Sequence, residues 1–138
     1  MANVLTRPAL VRYALAGAFA LSLSLSLSVA AHAQVMDDLT GTYVVRGTNP
    51  GDDGSYGGTI TVKLVGEVYQ IQWTGSGQNA VGTGLRLGDT LAVTWQDPAN
   101  KDTAVAVYIV MPDGGLKGRW APLGGAKAGS EDWTRKAQ

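Results

Sequence analysis

Thr59-Ile60-Thr61-Val62-Lys63-Leu64-Val65-Gly66-Glu67-Val68-Tyr69-Gln70-Ile71-Gln72-Trp73-Thr74 is the stretch that decides the fold. Ile60, Val62 and Leu64 alternate with Thr59, Thr61 and Lys63. Past Gly66-Glu67 the alternation resumes, with Tyr69, Ile71 and Trp73 set against Gln70, Gln72 and Thr74. A period of two sends neighbouring side chains to opposite faces of a strand, one packed and one wet. A two-residue break led by glycine supplies the positive φ of a tight hairpin. The segment is therefore an antiparallel hairpin.

The pattern continues outward in both directions. Leu91, Val93 and Trp95 alternate with Ala92, Thr94 and Gln96, and turn signals recur along the chain. Past Gln34 no stretch has helical periodicity, so the domain is all-β. Eight strands are expected, at 41–47, 56–65, 68–74, 80–87, 90–96, 103–111, 116–121 and 130–136. The connections alternate in length. Gly66-Glu67, Gly88-Asp89 and Pro112-Asp113-Gly114-Gly115 are tight, whereas 48–55, 75–79, 97–102 and 122–129 are longer and rich in Asn, Asp, Gly and Ser. In an up-and-down meander all the long loops share one end and all the tight turns the other. Eight such strands close into an antiparallel β-barrel without exposed edges; a β-sandwich of the same strands is the second architecture. An apolar interior, a polar exterior and strands shorter than about 9–11 residues argue against an outer-membrane barrel.

This topology brings Trp73, Trp95 and Trp120, near the finish of the third, fifth and seventh strands, to the long-loop end and points them inward. They form either a platform for a ligand or a plug for a small core, since an eight-stranded barrel is just wide enough to be filled or to hold one small molecule. Asn49, Asn79 and Asn100 in the long loops belong to the same candidate ligand site. Arg46 and Glu131 become neighbours at the mouth once the first and last strands pair, as a polar anchor or as a seam ion pair. Asp52-Asp53-Gly54 reads as a turn, because no further calcium-ligand spacing follows it. Gly82, Gly84 and Gly118 are expected to make room for the tryptophans.

The opening residues belong to a different kind of segment. Arg7 and Arg12 precede an apolar stretch to Val29, and Ala31-His32-Ala33 is a small-x-small site. That order defines a cleavable secretory signal. Residues 1–33 are expected to be removed, leaving an arm at 34–40 and one domain at 41–138, periplasmic or secreted and not embedded in the membrane. The mature 105 residues carry 9 basic and 11 acidic side chains, a net charge of −2, with no basic run suited to nucleic acid. With no Cys in the chain and its one His, His32, lost with the signal, the mature part lacks the side chains of Ser-His-Asp and Cys-His sites and of His/Cys zinc sites. No cofactor is expected, and no inward-facing carboxylate pair suggests glycosidase chemistry.

Gly41-Thr42-Tyr43, Tyr56-x-Gly58, Val68-Tyr69-x-Ile71-x-Trp73, Val81-Gly82-x-Gly84, Leu91-Ala92-Val93, Leu116-x-Gly118-x-Trp120 and Gly129-x-Glu131-x-Trp133 together resemble small exported bacterial proteins labelled fibronectin-binding. In shape the domain resembles avidin- and lipocalin-type barrels, although the polar residues that define biotin binding have no one-to-one match. The resemblance implies a binding module. The expected function is non-enzymatic: the loop-bearing, tryptophan-lined end holds a small ligand or an extracellular-matrix protein. The alternative is an inhibitor of an exported protease or lysozyme, acting through its loops or the arm at 34–39.

Overall fold

A computed structural model describes residues 38–52, 54–75 and 78–137. The expected signal at 1–33, the start of the arm and Asp53 lie outside the described residues. Eight strands follow in order: β1 Gly41–Thr48, β2 Ser55–Val65, β3 Val68–Gly75, β4 Gln78–Leu87, β5 Thr90–Gln96, β6 Thr103–Val110, β7 Leu116–Pro122 and β8 Gly129–Arg135. Each pairs antiparallel with its sequence neighbours, and β1 pairs with β8 from Tyr43↔Arg135 to Thr48↔Ser130, closing the barrel.

The tight turns follow from backbone geometry. Gly66 and Gly88 have φ of 62° and 60°, and the residues after them do not have positive φ. Positive φ at the first central position alone is the type II′ pattern, which matches the twist of paired strands. One connection differs from expectation. Pairing of β3 with β4 continues to Gly75↔Gln78, so the link between them shortens to residues 76 and 77, and Asn79 lies on a strand. At 11 and 10 residues, β2 and β4 are also longer than expected.

The interior is apolar, with Tyr43, Val45, Ile60, Val62, Ile71, Leu91, Val93, Tyr108, Leu116 and Trp133 among its buried residues. At the tight-turn end Leu39 tucks into the barrel, and the Tyr43 hydroxyl donates to its carbonyl at 2.8 Å. Arg135 lies over the Tyr43 ring, 5.2 Å from its centroid. Its guanidinium also donates to the carbonyls of Asp38 and Thr40 at 2.8 and 3.2 Å. The described end of the arm thus closes its own barrel.

The exterior is less polar than expected. Leu85, Leu87, Val105, Val107 and Ile109 are exposed, and Leu64, expected inside, is exposed as well. Leu85↔Ala92↔Val107 and Leu87↔Thr90↔Ile109 fall in rows across the outside of β4, β5 and β6.

Candidate functional site

The residues around Glu131 come from five neighbouring strands. Glu131 on β8 pairs with Gly47 on β1, which pairs in turn with Tyr56 on β2. On its other side Glu131 pairs with Gly118 on β7, which pairs with Tyr108 on β6. The row reads Tyr56–Gly47–Glu131–Gly118–Tyr108. All five belong to inward-facing positions, and the two glycines let the tyrosines lean over their strands toward the carboxylate. A Cβ at position 47 would collide with the Tyr56 ring, and one at 118 with the Tyr108 ring and the Val107 carbonyl. Gly118 therefore makes room for a tyrosine rather than a tryptophan, while Gly82 does sit under Trp95, where a Cβ would lie 2.8 Å from the indole.

Both tyrosines reach their target. Tyr56 donates to Glu131 Oε1 at 2.6 Å, Tyr108 to Oε2 at 2.6 Å, and the Trp133 indole N–H to Oε2 at 2.9 Å. Glu131 is 7 % exposed and is the one buried charged residue among those described. Burial, reinforced by the adjacent Glu131 charge, raises both tyrosine hydroxyls far above their ordinary range. They stay protonated and keep donating. Trp133 anchors the cluster from below, its ring centroid 4.4 Å from that of Tyr108 and 5.8 Å from that of Tyr43.

Above this floor lies a cavity of about 750 Å³. Trp73, Trp95, Trp120, Asn49, Asn79, Asn100 and Glu131 all line it, with Tyr56 and residues of the 97–103 segment. Trp73 and Trp95 belong to the buried core, with Trp120 packed against it, and all three also line the concavity above. The Tyr56 ring stands edge-on to Trp73 and Trp120, with centroids 6.1 and 6.2 Å away. The indole N–H groups of Trp73 and Trp120 are covered and have no acceptor in hydrogen-bond geometry. The Trp120 N–H still lies close enough to the Tyr56 oxygen to oppose slightly the rise in its pKa.

The rim is held by its own polar groups. Asp97 Oδ1 accepts from the Ala99 N–H at 2.7 Å and Asn100 Oδ1 from the Asp102 N–H at 2.9 Å, while Lys101 takes a φ of 67°. In the first loop the Gly54 N–H bonds the Asp52 carboxylate, as a turn does. Among the described residues no group of three or more His, Cys, Asp or Glu could hold a metal ion.

Arg46 does not join the site. It pairs in register with Asp132, one position away from Glu131, and it is exposed where Glu131 is buried. Strand alternation puts the two on opposite sides of the wall, so neither a shared ligand anchor nor a seam ion pair forms between them. Reading the sequence also missed Tyr56, Tyr108 and Trp133 as partners of Glu131. One signal was available: Gly129, Glu131 and Trp133 share one parity on β8, so an inward Trp133 implies an inward Glu131. Compared with known proteins, the chain matches no family model and no curated protein sequence.

Proposed function

We propose that the mature chain is an exported binding protein that holds a small ligand in its tryptophan-lined mouth. The observation that carries this reading is the cavity of about 750 Å³ over a buried, hydrogen-bonded carboxylate. Ligand sites are concave and of about 300–1,000 Å³, and this mouth has that size, with aromatic side chains and polar or charged ones in its lining. Aromatic walls supply contact area at little entropic cost, and Glu131 supplies direction. Binding is favoured over catalysis because Glu131 is already engaged by three donors and, among the described residues, has no second buried carboxylate of the kind glycoside hydrolysis uses. A small ligand is favoured over an extracellular-matrix partner because seven of the eight candidate residues, the loop residues Asn49 and Asn100 among them, line one concavity.

Native mass spectrometry of the protein isolated from the compartment to which its host exports it tests the reading. A co-purifying small molecule, lost on mild activation, is the expected result. A stable complex with a protein, and a mouth left empty, would overturn it.

A further inference from the structure

We infer that the mouth selects a small organic cation, an alkyl- or methylammonium group set against Glu131 and enclosed by the rings of Tyr56, Trp73, Trp95 and Trp120. The inference rests on the small-ligand reading above and adds the chemical class.

The first support is the unbalanced charge. Three donors converge on Glu131, one at Oε1 and two at Oε2. All three donors are neutral. Hydrogen bonds from neutral groups soften a buried charge without cancelling it, and in a low-dielectric interior the remainder is costly until a cation arrives. A carboxylate has about four lone-pair sites, and the three bonds leave room for one more. Glu131 keeps 7 % of its surface exposed and is part of the cavity lining.

The second support is the lining itself. Its charged members are Asp97, Asp102, Glu131 and Lys101, an excess of two negative charges, with Lys101 and Asp102 both exposed at the rim. An anion entering this space meets repulsion, and a neutral molecule leaves the buried charge as it was. Four aromatic residues, Tyr56, Trp73, Trp95 and Trp120, share the lining, and a cation against an indole or phenol face gains from its quadrupole. Trp73 and Trp95 are held in the core with little surface exposed, so the part of each ring that lines the mouth is fixed in place. A charge at the floor with aromatic faces around it is the arrangement that suits a poorly hydrated ammonium.

Three probes of nearly one shape and different charge test this: choline, its neutral carbon isostere 3,3-dimethylbutan-1-ol, and the anion 3,3-dimethylbutanoate. Each is titrated into the mature protein by calorimetry and tryptophan fluorescence. Choline is expected to bind about tenfold or more tightly than the alcohol, with the anion weakest, and Glu131→Gln is expected to narrow the difference between choline and the alcohol. The three-probe comparison on the parent protein stands even if that variant does not fold. Equal or stronger binding of the alcohol or the anion overturns the cation while leaving the small-ligand reading intact. No binding by any probe, with an empty mouth in the exported protein, overturns both.

Discussion

Tyr108 on β6 bonds Glu131 on β8 across a whole intervening strand, at 2.6 Å, because position 118 on that strand has no side chain. The bond and the glycine are one device, and substitutions in them should behave as one. Tyr108→Phe removes a hydrogen bond to a buried charge and should cost about 1.5–3 kcal/mol. Gly118→Ala pushes the ring away and should cost about 2–4 kcal/mol by overpacking together with the same lost bond. The double variant should then cost clearly less than the sum, as urea unfolding of all four proteins would measure. Strict additivity would mean that the glycine serves only the backbone.

Alkaline pH should unfold the domain. Burial raises the hydroxyls of Tyr43, Tyr56 and Tyr108 above 10.0, the value each has when unfolded. Above that pH the unfolded chain gives up protons that the folded one retains, so stability is fully present below about pH 10 and falls as pH rises, by up to about 1.4 kcal/mol per pH unit for each group. Tyrosinate absorbance from these three should appear together with loss of the strand signal. Their titration near pH 10 in an intact barrel would contradict the buried network.

Leu39 precedes β1 yet is 1 % exposed, so the barrel needs it. Leu39→Ala should cost about 2–4 kcal/mol, whereas Leu87→Ala, at 86 % exposed, should stay within about 0.5 kcal/mol. Thermal melts of the two variants compare them directly.

Ligand binding should depend on the indoles. Trp95→Ala should weaken it by about thirtyfold, the loss of an anchoring aromatic, while Glu67→Ala in a distal turn should leave it unchanged. Circular dichroism must first show that the variant is folded, because a buried tryptophan also supports the core. A folded Trp95→Ala protein that binds like the parent would move recognition to the loops.

Processing at Ala33 should give an exported protein that begins at Gln34. Intact-mass measurement of the exported protein checks it, and a chain that retains Met1 would refute it.

The strand plan was legible because alternation such as Tyr69-Gln70-Ile71-Gln72-Trp73 carries its own period and needs no partner to be read. The long-loop mouth followed from turn lengths, and seven of the eight candidate site residues line one cavity. The carboxylate cluster was harder to see. Tyr56 and Tyr108 stand 75 and 23 positions from Glu131, and register across several strands leaves no local mark. Arg46 was misplaced for the same reason: a shift of one position carries a side chain through the wall. On β6, Ala104-Val105-Ala106-Val107-Tyr108-Ile109-Val110 is apolar on both faces, so hydrophobicity alone hides which side meets water.

The clasp between Arg135 and the Asp38 carbonyl, 2.8 Å long, has a practical use. It brings the two ends of the described chain together at the pole of the barrel farthest from Trp73, Trp95 and Trp120. A fluorescent partner or a sensor chip joined at either end would stand behind the mouth and leave its opening clear. The domain is thus oriented for immobilised capture, and a short peptide joining the two ends would give a circularised chain with new ends cut into a rim loop such as 123–128.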